Sequence, residues 1–245
     1  YVRYLEKLVE QGKVEIDLID DAVRRILTVK YELGLFDDPY RYVDNEREHA
    51  LCYHDDHAAA AKDIAKRSMV LLKNEKQQLP LSQEQRNIAV IGPLASDKNS
   101  PLGSWRIGSD DYSGVSLLEG LAHYSHDVSY EKGADLVWGE QNFVQELHVN
   151  ESDTSGFQAA IELAQRSEVV IMMLGEHGFH SGEGRSRTNL DLPGVQQALL
   201  EAVHAVNPNI ILLVQTGRPL VLSWAAEHIP TILLTWQLGS QSGNA

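Results

Sequence analysis

Four short apolar runs constrain this chain more than any other feature: IAVIG at 88–92, EVVIMML at 168–174, IILLVQTG at 210–217 and PTILLTW at 230–236. None shows the polar alternation of a strand with one wet face, and each is shorter than an ordinary core helix. Strands buried on both faces read this way. Between them stand SGFQAAIELAQRS, VQQALLEAVHAV and PLVLSWAAE, which read as helices. Strand and helix in regular succession predict an α/β fold, a doubly wound and mostly parallel sheet covered on both faces. MVLLKN and the weaker DVSYEKG read as further strands, and HAAAAKDIAKRS and VSLLEGLAHY as further helices. The polar stretch from Ala134 to Asp153 has no clear period.

The first forty residues differ. Ile19, Val23, Ile26, Leu27 and Leu33 recur at helical spacing, with Asp17 placed to cap the start and Gly34 to end the helix. FDDPYRYVDN then reads as an extended linker, because Asp38 precedes a proline. The chain opens on Tyr1 with no leader-like segment, which reads as processing or as a piece of a longer protein.

A formal net charge of −14 disfavours nucleic acid and anionic membrane surfaces as partners. No apolar run approaches the length of a membrane span. The single cysteine, Cys52, excludes an intrachain disulfide.

In doubly wound sheets, ligands bind at the carboxyl ends of strands. Three loops occupy such ends: GPLASDKNSPLGSWRIGSDD, GEHGFHSGEGRSRTNLDLPG and TGRP. No phosphate loop, no G-x-G-x-x-G fingerprint and no G-x-S-x-G elbow occurs, which argues against nucleotide and elbow-serine chemistry. The long loop from Gly175 to Gly194 carries two glutamates, two histidines, two arginines and five glycines, a load that mere linkage does not need.

Glu183 stands between glycines, and such a loop can project a carboxyl into a cleft as a general acid. On the residues alone, a solvated surface glutamate is the competing reading. His177 and His180 with nearby carboxylates could be metal ligands, against a surface or supporting role for both. Trp105 suits stacking on a flat apolar face, against packing under its own loop. For Arg218 and for Lys73-Asn74, structural use is the better reading, Arg218 pairing with a carboxylate of the fold.

Taken together and in order, IDDAVRRILTVKYELGLFDDPY, AKRSMVLLKNEKQQLPL, IAVIGPLA with LGSW, SGEGRSRTNLDLPG and TGRPL resemble glycoside hydrolase family 3, in its second, six-stranded α/β sandwich domain. The resemblance implies that 1–35 are the last helices of a (β/α)8-type barrel, 36–54 a linker, and 55–245 the sandwich. It places Glu183 on the family's catalytic acid/base, Trp105 on the leaving-group side of the cleft, and Arg187 and Thr188 on a polar pair that shapes the loop. It implies a retaining, exo-acting β-glycosidase, a β-glucosidase first, without a cofactor or metal. Its partners would be a β-glucoside or β-linked oligosaccharide and the missing barrel domain, with no nucleic acid or membrane, and its location periplasmic or secreted. The family's aspartate nucleophile motif does not occur here, and Gln241-Ser242 replaces a usual Glu-Gly, so the chain alone is expected to be inactive. Two other readings stay open: a non-catalytic carbohydrate-binding or interaction module, and a metal-dependent hydrolase.

Overall fold

The computed structural model describes residues 1–82, 84–124 and 127–245 and falls into two units, Tyr1–His54 and Asp55–Ala245. The first holds helices α1 (Leu5–Glu10), α2 (Ile16–Glu32) and α3 (Asn45–Leu51). α2 ends where Gly34 takes a left-handed conformation (φ 69°), with Leu35 N–H reaching back to Lys30 O. Asp17 does not cap this helix. It lies in the first turn, where its charge faces the helix dipole, and Glu15 takes the cap position without a side-chain bond. The stretch read as an extended linker also departs from expectation. Residues 36–45 are mostly turns rather than an extended run, and the last of them, Asn45, opens α3, because the Asp44 side chain accepts Arg47 N–H at 2.9 Å and starts a helix there.

In the second unit the strands are β1 (Val70–Asn74), β2 (Ile88–Ile91), β3 (Val128–Glu131), β4 (Val137–Trp138), β5 (His148–Val149), β6 (Val169–Gly175), β7 (Ile210–Gln215) and β8 (Thr231–Leu234). Six of them form one sheet in the order β1-β8-β7-β6-β2-β3. All pair in parallel except β1, which runs antiparallel to β8 along one edge. The helices are α4 (Asp55–Ser68), α5 (Leu117–Ala122), α6 (Phe157–Gln165), α7 (Gln196–His204) and α8 (Ser223–His228). β4 and β5 make a separate antiparallel pair inside the stretch that showed no period in the sequence.

Alternate strand residues feed two cores. Ala89, Ile91, Val170, Met172, Leu174, Ile210, Leu212 and Val214 pack against Ala160, Leu163, Leu199, Leu200 and Val203 of α6 and α7. Their neighbours Ile88, Val90, Val169, Ile171, Met173 and Ile211 face the other way, toward Leu94, Leu136 and the leucines of α5. Two-faced burial is why the runs are continuous rather than alternating. Among the described residues no helix is long and apolar enough to cross a membrane.

Leu212 lies fully buried on the central strand β7. Leu212→Ala should lower unfolding free energy by about 2–5 kcal/mol. Urea unfolding of the domain measures this, and a loss below about 1 kcal/mol would contradict the packing described.

Candidate active site

β2 sits between β3 and β6. The connection from β2 to β3 passes through α5 on one face, and that from β6 to β7 through α7 on the other. The loops after β2 and β6 therefore diverge at the sheet's topological switch point, where α/β sheets hold their ligands. A cleft of about 160 Å³ opens there, lined by Asp97, Lys132, Gln141 and His177 among others. The loops then meet above it. A Cβ on Gly182 would lie 2.7 Å from Ser104 Oγ, so only glycine allows this approach. On the other flank the Gln237 amide lies 3.4 Å from Ser181 Oγ.

The base of the long loop is closed by two side chains. Buried Gln196, the first residue of α7, accepts Gly175 N–H at 2.9 Å and donates to Gly175 O at 2.8 Å and Pro193 O at 2.9 Å. It thus ties the loop's entry to its exit. Glu176 follows at the end of β6 with no solvent exposure. Its carboxylate accepts from Arg187 Nη1 at 2.8 Å, Thr216 Oγ1 at 2.8 Å and Arg218 Nε at 3.3 Å. Arg218 also donates to His180 O. The expectation that Arg218 pairs with a carboxylate of the fold is met, and the partner is Glu176.

Both histidines are drawn into local structure. His180 Nδ1 accepts His177 N–H at 2.9 Å, and His177 Nδ1 accepts Phe179 N–H at 3.1 Å, capping the 3₁₀ turn Gly178–His180. Each ring therefore uses its Nδ1 lone pair and carries its proton on Nε2, which in His177 faces Gln141 Oε1 at 3.0 Å. Burial pushes both rings down to about 4, with nearby arginines adding to the effect. The rings use their Nδ1 atoms for the turn, and among the described residues no group of three or more His, Cys, Asp or Glu is arranged to hold a metal.

The tip is built differently. Arg185 N–H bonds Gly182 O at 3.2 Å, closing a turn with Glu183 and Gly184 in the middle and Gly184 at φ 72°. Glu183 is exposed, and among the described residues no hydrogen bond reaches its carboxylate. Trp105, also exposed, follows Ser104, against which Gly182 leaves no room for a side chain. Its indole tilts against Phe143 with ring centroids 5.7 Å apart, and Phe143 meets buried Phe179 edge-on at 6.5 Å. Arg187 points down to Glu176 and, with exposed Thr188, His180, Asp191 and Trp224, lines a wide cleft of about 920 Å³. The structure thus brings Glu183 and Trp105 to neighbouring loops and sets Arg187 and Thr188 apart from them. Sequence reasoning missed Glu176 as the buried anchor and Phe143 as the support for Trp105. Glu176 carried a signal, since it directly follows a fully apolar strand, while Phe143 carried none.

Two outcomes follow. Glu176→Gln leaves Arg187 and Arg218 without their carboxylate and should cost about 3–5 kcal/mol in denaturant unfolding. The histidines make stability depend on pH. Below their ordinary value of 6.5 the unfolded chain takes up protons that the folded rings refuse until about 4. Their contribution is therefore complete above 6.5 and declines as pH falls through that window, by roughly 2–5 kcal/mol for the pair. Denaturation at pH 7 and at pH 4.5 should show the decline, and His177→Gln with His180→Gln should flatten it.

Comparison with known proteins accords with this geometry. Residues 69–245 match the model of the glycosyl hydrolase family 3 C-terminal domain. A periplasmic beta-glucosidase of Salmonella typhimurium is 34% identical over 264 residues, covering all of this chain and 34% of that protein. A beta-xylosidase of Formosa agariphila is 36% identical, covering 93% of this chain and 30% of its own. Among solved structures, the beta-glucosidase of Listeria innocua in complex with isofagomine superposes with a TM-score of 0.82 at 30% identity, covering 98% of this chain and 31% of that one. The chain spans about a third of the length of the curated relatives it matches. By the extent of the domain match and by these relatives, the chain belongs to glycoside hydrolase family 3.

Proposed function

We propose that this chain supplies the acid/base carboxyl, Glu183, and the leaving-group side of the cleft to a retaining, exo-acting β-glycosidase, with a β-glucoside as the first substrate class. The observation that carries the reading is the contrast between two glutamates of one loop. Glu176 is buried and bound by two arginines, whereas Glu183 rides exposed on a glycine-flanked turn whose loop closely approaches Ser104, next to Trp105. A group that must meet a substrate held by another domain has to stand out in this way.

A retaining glycosidase uses two carboxyls about 5 Å apart. In the first step a nucleophile carboxylate, from the barrel domain, attacks the anomeric carbon. Glu183 gives its proton to the departing oxygen as the C–O bond breaks. In the second step the Glu183 carboxylate takes a proton from water, the water oxygen attacks the anomeric carbon, and the nucleophile leaves. Trp105 offers a flat apolar surface for the leaving group. The exposed stripe Val23, Ile26 and Leu27 on α2 suits a helix made to pack against the rest of such a barrel. Names of relatives include both beta-glucosidase and beta-xylosidase, and the sugar-side pocket belongs to the barrel, so both glycosides belong in the assay.

In the whole enzyme, Glu183→Ala should reduce kcat/KM on a glycoside with a poor leaving group by about 100-fold or more, with a far smaller loss on an activated aryl glycoside. Added azide should restore part of the activity by replacing the second-step water. Equal loss on both substrates, without azide rescue, would remove Glu183 from the role. The 245-residue chain by itself should not hydrolyse aryl β-glucosides or β-xylosides. Turnover that disappears in Glu183→Gln would overturn the need for a nucleophile from elsewhere.

A further inference from the structure

Arg185 closes the turn whose tip is Glu183, yet its side chain leaves the loop altogether. Its Nη2 reaches the carbonyls of Phe143 at 2.7 Å and Gln145 at 2.5 Å, with Asn142 O at 3.4 Å. Those residues form a turn of their own, in which Asn142 Oδ1 accepts Val144 N–H at 3.0 Å and Gln145 N–H at 2.8 Å. The turn presents the Phe143 ring to Trp105. A single guanidinium thus spans the distance between the Glu183 turn and the support of the indole. The other side of that indole's loop is fixed as well: Arg106, next to Trp105, lies over the Phe179 ring at 4.6 Å and pairs with Asp111. Phe179 is itself held by the histidine-capped 3₁₀ turn of the long loop.

We propose that Arg185 is a positioning residue that fixes the Glu183 carboxyl in register with the Trp105 indole, so that the group stacked on the indole is the one protonated. The proposal rests on the acid/base reading of Glu183. The physical reasons are geometric. An exposed turn with glycines on both sides of its tip has many conformations to lose. The two N–H bonds of Nη2, fixed in the guanidinium plane, can bridge two carbonyls, which a lysine ammonium on a flexible stem does less well. Without the bridge, the turn at 142–145 keeps its own side-chain bonds but loses its tie to the catalytic tip. Phe143 then no longer fixes the tilt of Trp105 relative to Glu183.

The test uses the whole enzyme carrying Arg185→Ala, Arg185→Lys or Phe143→Leu, beside Glu183→Ala. Two readouts are compared. The first is the ratio of kcat/KM for a β-linked disaccharide to that for an activated aryl glucoside. The second is the fluorine resonance of Trp105 in protein labelled with 5-fluorotryptophan, assigned through Trp105→Phe. Arg185→Ala should lower the ratio about tenfold or more, since small misplacements of a reacting group are costly. It should also move the Trp105 resonance and leave that of Trp224 in place. Arg185→Lys should recover part of both effects, and Phe143→Leu should move the resonance without a leaving-group dependence as steep as that of Glu183→Ala. If Arg185→Ala unfolds the enzyme, the lysine and Phe143 variants carry the same comparison. An unchanged ratio with an unchanged Trp105 resonance in folded variants overturns the proposal. If Glu183→Ala itself spares the disaccharide, the acid/base reading falls and takes the catalytic part of this proposal with it. The fluorine spectrum would then decide separately whether Arg185 ties the two turns.

Discussion

The Glu176 carboxylate is the interaction on which the loop architecture depends. Taking one ion out of water costs several kcal/mol, and an arginine at one side rarely offsets that alone. Here two guanidinium groups and a hydroxyl surround it, drawn from the loops after β6 and β7. The cluster as a whole carries a net positive charge at the carboxyl ends of the strands. Glu176 N–H also bonds Gln215 O at 2.7 Å, so the anchor is continuous with the ladder between β6 and β7. Rigidity made in the sheet is thereby passed to the loop, which adds buried Phe179 and Leu192 of its own.

A division of labour along the loop follows. Its lower part, up to His180 and again from Arg187, is tied by Gln196, Glu176 and the paired histidine caps. Its tip, from Ser181 to Ser186, is exposed or half-buried and held by the Gly182–Arg185 turn and by Arg185. The same loop thus combines a fixed stem with a presented carboxyl, which a purely rigid or purely flexible loop would not achieve.

The sheet was legible because its signal is one of burial: strands covered on both faces leave unbroken apolar runs, and β2, β6, β7 and β8 are such runs. β4 and β5 were not legible, since two-residue strands leave no period to detect. α3 was missed because a proline-centred linker reading masked the Asp44 cap that starts it. At the site, the glycines around Glu183 and the length of the loop were visible in the sequence. The fate of its other charged residues was not. Whether an arginine reaches solvent, a buried glutamate or a distant carbonyl depends on contacts 11 or more residues away, as Arg187 with Glu176 and Arg185 with Phe143 show. The histidines illustrate the same point, because spacing compatible with metal ligation proved equally compatible with capping a 3₁₀ turn.

Closure of the loop at its base has a consequence for loop length. With Gly175 and Pro193 both bonded to one glutamine, the ends of the loop stay together whatever happens beyond them. Each doubling of the length between such clamped ends costs only about 0.6 kcal/mol in closure entropy. Lengthening the tip therefore costs little in closure entropy. The reach of the Glu183 turn can thus change with the number of residues between the clamped ends while the sheet beneath stays unaltered.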